Sequence, residues 1–271
     1  MKVIDLNADI GEAEDAEGIA AELEILRHVT SVNIACGGHR GDEASMRRVI
    51  KEARRRGVKI GAHPAYPDRE NFGRRSMRLG PDIEAGALAQ SLTTQILSLI
   101  DIAKQEGADV TYIKPHGALY NDAVQSRPHA ELIADVICKI DPSLVLLGAP
   151  QSHMGAAAQR HGLRFVTEGF IDRRYTDDGH LQSRKIEGAV IADFETRMAQ
   201  ACSLVTTGEV ETASGNTIEL RCESLCLHGD SQGAVDTAKK ARAAIEEVGV
   251  TVQPFSSAAN MNAAHEIAAN D

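Results

Sequence analysis

Short runs rich in valine, isoleucine and leucine recur along the chain, and most of them end in a cluster of polar residues. They lie at 3–7, 31–35, 58–62, 111–114, 144–147, 164–167 and 224–227. A further run at 250–252 either adds an eighth strand or lies outside the sheet. Runs this short, rich in aliphatic residues, read as buried strands. The stretches between them have helical spacing. In 43–56 the apolar residues are Met46, Val49, Ile50 and Ala53; 81–106 opens on Pro81-Asp82 and stops before Gly107. Stretches 128–140, 151–161, 193–205 and 232–248 complete the set. Repeated strand-then-helix units imply parallel strands joined by right-handed crossovers. Seven or eight of them predict an α/β fold, a closed (β/α) barrel over an open sheet. No linker or internal repeat divides residues 1–255, which read as a single barrel domain. The Ala/Asn-rich segment 256–271 reads as a poorly ordered C-terminal tail.

Composition narrows the class of activity. A chain of 271 residues buries enough surface to need no disulfide staples, and its five cysteines are odd in number and irregular in spacing. That pattern fits reduced thiols and a cytoplasmic protein. Cys222 and Cys226 lack the second pair that a structural zinc site requires. The net charge of -10, the absence of Trp and the few aromatics argue against nucleic-acid partners. Asp5 interrupts the apolar run a signal peptide would need, and no stretch is long enough to span a membrane.

The polar residues that follow the strands carry the chemistry. The first strand ends in Asn7-Ala8-Asp9-Ile10-Gly11-Glu12, the second in Cys36-Gly37-Gly38-His39-Arg40-Gly41-Asp42, and the third in His63-Pro64-Ala65-Tyr66-Pro67-Asp68. The fourth runs into Lys114-Pro115-His116-Gly117-Ala118-Leu119-Tyr120, the sixth into Glu168-Gly169-Phe170-Ile171-Asp172-Arg173-Arg174-Tyr175, and the seventh into His228-Gly229-Asp230. In parallel barrels and sheets, ligands bind at that end of the strands. Four of the ten histidines, His39, His63, His116 and His228, fall there. The others, His28, His129, His153, His161, His180 and His265, fall in helices or connections and read as surface residues. There is no Walker phosphate loop, no dinucleotide fingerprint after the first strand and no G-x-S-x-G elbow. Cys36, near His39, reads as a packed side chain and not as a nucleophile.

Together these blocks, with Phe72-Gly73-Arg74-Arg75, resemble the LamB/YcsF family of 5-oxoprolinase A subunits from residue 5 to about 230. The chain departs from that family at Ala8, usually cysteine, at Gly38, usually aromatic, and at Arg40, usually small. The resemblance implies an irregular seven-stranded (β/α) barrel of the glycoside hydrolase/deacetylase type. It also implies ATP-dependent hydrolytic opening of the lactam 5-oxo-L-proline to L-glutamate, beside two partner subunits, B and C. A lactam is a poor electrophile, so phosphorylating its oxygen would explain the ATP requirement. Without a phosphate loop here, that step falls to the partners. Asp9 or His63 is then the general base, while Lys114, His116 and Arg173 stabilise the oxyanion or hold phosphate and carboxylate. Asn7, Glu12, His39, Asp68, Arg74, Glu168, Asp172, Arg173, His228 and Asp230 are the expected substrate contacts. Two other readings stand beside this one. In the first, a metal-dependent deacetylase or amidohydrolase holds a divalent metal through Asp9, His39 and His63. In the second, the chain is a non-catalytic subunit that binds the lactam through Lys114, Arg74, Arg75 and Arg173.

Overall fold

The computed structural model describes residues 2–229 and 233–256. Six parallel strands run in order round a barrel: β1 (Val3–Ile10), β2 (Ser31–Ala35), β3 (Lys59–His63), β4 (Val110–Ile113), β5 (Val145–Gly148) and β6 (Phe165–Phe170). A small antiparallel hairpin, β7 (Glu209–Glu211) and β8 (Thr217–Glu219), follows. The seventh barrel strand, β9 (Ser224–His228), then pairs with both β6 and β1 and closes the ring. The run near 250 is β10 (Thr251–Val252), which pairs with Val3 and Ile4 outside the closed barrel. The expected (β/α) barrel is therefore present, with seven strands.

Helices α1 (Ala16–Ile25), α2 (Glu43–Arg56), α3 (Ala85–Gln105), α4 (Gly117–Gln125), α5 (Arg127–Ile140), α6 (His153–Arg160), α7 (Phe194–Thr206) and α8 (Ala234–Glu247) surround it. None of these is long and apolar enough to cross a membrane. In α2 the sequence specifies the helix at every level. Asp42 and Ser45 form a capping box, Met46, Val49, Ile50 and Ala53 are buried, and Gly57 ends the helix in the left-handed region. Helices α1 and α4 are not apparent from periodicity. In α1 only Glu22 and Ile25 are buried, and Glu22 is spent accepting the Glu12 and Ala13 amides at 2.8 and 2.9 Å. In α4 the helix begins at a glycine directly after a strand-end histidine, which reads as a loop.

Polar and apolar residues exchange their usual places in β1. Leu6, Ala8 and Ile10 join the apolar layer beneath the helices, while Asp5, Asn7 and Asp9 are buried inside the barrel. A ladder of hydrogen bonds supports them. Asp5 accepts Ser31 Oγ at 2.6 Å and Thr30 Oγ1 at 2.7 Å, and Ser224 Oγ donates to its other oxygen. Asn7 donates to Ser224 at 2.7 Å, and Asn33 donates to both Asn7 and Asp9 at 2.7 Å. Part of the interior is apolar: Tyr112, Val145, Leu147 and Val166 pack together, with Phe255 against them. Gly61 makes room for this cluster, because a Cβ there would sit 2.2 Å from the Tyr112 ring.

Burial pushes the Asp5 carboxyl up from 3.8 to about 6, against the lowering effect of its three hydroxyl donors. The folded state therefore binds this proton more tightly than the unfolded chain does. That contribution is complete below pH ~4 and is lost as pH rises through about 6. Asp5→Asn, which mimics the protonated acid, is expected to gain on the order of 2–3 kcal/mol over wild type at pH 7 and little at pH 4. Urea denaturation at both pH values measures this; a gain independent of pH would contradict it.

Candidate active site

Lys114, immediately after β4, is the centre of the barrel mouth and is only 2% exposed. Its ammonium lies 3.0 Å from Asp9 Oδ1, 3.1 Å from Glu168 Oε2, 3.4 Å from Asn7 Oδ1 and 2.9 Å from Cys226 Sγ. Burial alone would lower its pKa, but Asp9, Cys226 and Glu168 overcome this and hold it well above the ordinary lysine value. Burial likewise would raise Asp9, yet His63 and Lys114 keep it ionised, well below the usual carboxylate range. Three ammonium protons face four acceptors, so Lys114 acts as an internal counter-ion with little left to offer a ligand.

A second group lies against the first. His63 Nδ1 donates to the Lys114 carbonyl at 2.8 Å, and His116 Nε2 donates to the Phe72 carbonyl at 3.0 Å. A carbonyl can only accept, so both tautomers are set. The remaining nitrogens, His63 Nε2 and His116 Nδ1, then face each other at 3.0 Å as bare lone pairs. A proton or a cation must stand between them. Burial and the neighbouring His39 and His63 push His116 well below its ordinary value, which opposes a proton there. A cation fits: Glu12, His39, His63 and His116 bring four ligand atoms within 4.8 Å of one another. His39 Nε2 is 2.8 Å from Glu12 Oε1, and its ring stacks on His116 at 3.6 Å.

The backbone is strained to build this. Phe72 adopts φ 56°, left-handed for a side chain that disfavours it, and so turns its carbonyl onto His116. Gly73, at φ 61°, closes over the stacked rings; a Cβ there would lie 3.0 Å from His39 Cβ and 3.1 Å from His116 Cδ2. From the other side Gln95 clamps the His63 loop, accepting the Ala65 amide and donating to its carbonyl, both at 2.9 Å. Gln95 occupies the space that a side chain at position 38 would need, since a Cβ on Gly38 would be 2.4 Å from its Oε1.

A cavity of about 590 Å³ opens above these groups. Of the expected residues, Asp9, His63, Arg74, Lys114, His116, Glu168, Arg173 and His228 line it. Asp172 stands behind: its oxygens hold His228 Nδ1 at 3.0 Å, leaving Nε2 4.0 Å from Asp9 Oδ2. Burial would raise Asp172, but His228, Arg184 and Arg173 bring it down to about 2. Arg173 is buried and donates to the carbonyls of Gln182 at 2.6 Å and Ala189 at 3.4 Å. Asn7 lies one layer below the cavity in the ladder, and Glu12 and His39 lie beside it in the imidazole cluster. Asp68 accepts Asn71 at 2.8 Å and is not part of the cavity wall. Asp230 and His265 lie outside the described residues.

The sequence-based ligand set Asp9, His39 and His63 differs from the geometric one. Glu12 and His116 complete the group, while Asp9 Oδ2 is 3.4 Å from His63 Nε2 and its other oxygen serves Lys114. His129, expected on the surface, is buried and bonded to Ser126 and the Met77 carbonyl. Cys36 is buried and its thiol is pushed up to about 12, in line with packing. Tyr120, Cys226, Asn33 and Gln95 are not singled out by strand-end position. Only the alternation Asp5-Asn7-Asp9 hints that a polar layer continues inward.

Similarities to known proteins bear on this arrangement. The LamB/YcsF family model matches residues 4–260. The 5-oxoprolinase A subunit of Bacillus licheniformis is 42% identical over 256 residues, 94% of this chain and 100% of the relative. The crystal structure of a lactam utilization protein from Thermus thermophilus superposes with TM-score 0.85 at 37% identity, covering 94% of this chain and 100% of that one. The catalytic domain of a peptidoglycan N-acetylglucosamine deacetylase from Eubacterium rectale is similar in fold alone, at TM-score 0.53 and 12% identity over 95% of this chain and 90% of that one.

Lys114→Met is expected to destabilise the protein by about 3–5 kcal/mol, because it leaves buried carboxylates without their cation. Urea denaturation at pH 7 measures the loss; unchanged stability would remove Lys114 from the role of counter-ion.

Proposed function

The chain belongs to the LamB/YcsF family, and from that premise we propose that it hydrolyses a small cyclic amide. The substrate is 5-oxo-L-proline, opened to L-glutamate by this chain as the A-type component of a multi-subunit 5-oxoprolinase. The names of relatives at about 40% identity support this. The observation that carries it is the meeting of an ionised carboxylate, Asp9, with the Glu12/His39/His63/His116 group at the wall of one cavity.

In this reading Asp9 Oδ2 takes the proton of the attacking water, since Oδ1 is held by Lys114 and Asn33. His228, oriented by Asp172, and His63 flank that oxygen. Lys114 keeps Asp9 ionised in the resting site, ready to accept that proton. Arg173, with Arg74 at the rim, holds the substrate carboxylate. A divalent cation bound by Glu12, His39, His63 and His116 would supply Lewis-acid polarisation of the amide oxygen. The chain has no phosphate loop, so ATP-dependent activation of the lactam is assigned to partner subunits B and C. The four-ligand group also favours a second reading, a metal-dependent amidohydrolase or deacetylase acting on an open-chain amide without ATP.

The test is glutamate release from 5-oxoproline by the purified chain, with ATP, with and without its partners. Release is expected in the complete mixture, and Asp9→Ala is expected to lower it by about 100-fold or more. Elemental analysis of protein purified without chelator is expected to find about one divalent cation per chain, lost in a His63→Ala/His116→Ala double variant. Full activity of Asp9→Ala would exclude it as the base. Turnover of open-chain amides without ATP, and none of 5-oxoproline, would select the second reading.

A further inference from the structure

Glu168, on β6, keeps its two carboxyl oxygens in unlike surroundings. Oε2 lies 3.1 Å from Lys114 Nζ and 3.5 Å from Asn7 Nδ2, both donors. Oε1 is buried without a hydrogen-bond partner. The Tyr120 hydroxyl, at the same cavity, is likewise buried without a well-formed hydrogen bond, and its electrostatic partner is Glu168. A bare oxygen on a buried carboxylate costs roughly 1–3 kcal/mol or more. A neutral carboxyl with its proton on Oε1 keeps the charged contacts, since Oε2 still accepts from Lys114 and Asn7 and Oε1 becomes a donor beside the Tyr120 hydroxyl. The charges agree. Among the described residues Lys114 is the one ammonium shared by two buried carboxylates, and Asp9 is the one it holds ionised. Burial raises Glu168 above the ordinary carboxylate value; Lys114 opposes this and the Asp9 charge adds to it. The result is an acidic proton on a residue that lines the cavity.

We infer that Glu168 is the catalytic acid that protonates the departing ring nitrogen as the lactam C–N bond breaks. The inference rests on the hydrolytic reading above. An amide nitrogen cannot leave as its anion, so an amide-opening site needs an acid distinct from the base that deprotonates water. Water oxygen bonds to the carbonyl carbon while its proton passes to Asp9 Oδ2. The tetrahedral centre then collapses, the C–N electron pair goes to nitrogen, and nitrogen takes the proton from Glu168 Oε1. A carboxyl and an amine result; where the lactam oxygen carries a phosphoryl group, the first product is the acyl phosphate, which a second water cleaves to the carboxylate and phosphate. Asp9 is left protonated and Glu168 ionised, and return of one proton between these two neighbours of Lys114 restores the starting state. His228 is less suited to this part, since its free nitrogen is directed toward Asp9 and the water.

The experiment compares two rings in the complete subunit mixture with ATP: 5-oxoproline, and the lactone in which oxygen replaces its ring N–H. A ring oxygen leaves with far less need of a proton. Glu168→Gln keeps the shape and the contact with Lys114 but has no acidic proton. It is expected to slow opening of the lactam by about 100-fold or more, and of the lactone by about threefold or less. Equal losses on the two rings would overturn the inference. If the Gln variant does not fold by circular dichroism, Glu168→Asp, which withdraws the acid by one methylene, is read by the same ratio. A fall of lactam relative to lactone supports the inference and an unchanged ratio overturns it. Wild type that opens neither ring sinks the hydrolytic reading itself, and the inference with it.

Discussion

An ammonium sealed inside a barrel must be matched by anions within a few ångströms, and that requirement organises this structure. Lys114 draws Asp9 and Glu168 to within 3.1 Å and keeps Asp9 charged in a place where burial alone would neutralise it. Once a charged pair is buried, the groups around it must also be polar and satisfied. The ladder of Asn33, Asn7, Ser224 and Asp5 meets that need and carries it down the inside of β1. Closure of the barrel by β9 brings Ser224 and Cys226 into the same layer. The polar interior is thus the support on which the site at the mouth is built.

The imidazole group is held by different means. Its tautomers are set by two backbone carbonyls, one from Lys114 and one from the strained Phe72. Strain of this kind costs about 1–3 kcal/mol and persists only where the surroundings enforce it. Here Gly73 and the stacked His39 and His116 rings enforce it. What the strain obtains is two lone pairs aimed at one point, an arrangement with no use unless a positive species lies there. The carboxylate group beneath and the imidazole group beside it meet at Asp9 and His63, 3.4 Å apart. In the proposed reaction that junction is where water is oriented and deprotonated.

Much of this is legible in the sequence. The strand–helix rhythm predicts the barrel, and the four strand-end histidines all reach the site, three in one cluster and His228 beside Asp172. Strand ends do not say which side of a barrel rim a residue occupies, so Asp9 and Glu12, three residues apart, cannot be sorted between the two groups. The Phe72 carbonyl carries no side-chain signal at all. Tyr120 sits in a helix that a glycine start disguises as a loop. His129 has the pattern of a surface residue because its partner, the Met77 carbonyl, lies on a distant loop. Asp5, Asn7 and Asp9 show the strand period, but with polarity reversed relative to a strand lining an apolar core.

In the proposed reaction one buried ammonium leaves two neighbouring carboxyls in opposite states, Asp9 as the base and Glu168 as the acid. Infrared spectroscopy of the protein with carbon-13 in its glutamate carboxyls reads it directly at neutral pH. The expected result is one protonated, unhydrated glutamic acid band that shifts with the label and vanishes in Glu168→Gln, with no corresponding aspartic band assignable to Asp9. Ionised carboxylate signatures for both residues, or a protonated band that belongs to Asp9, would contradict it.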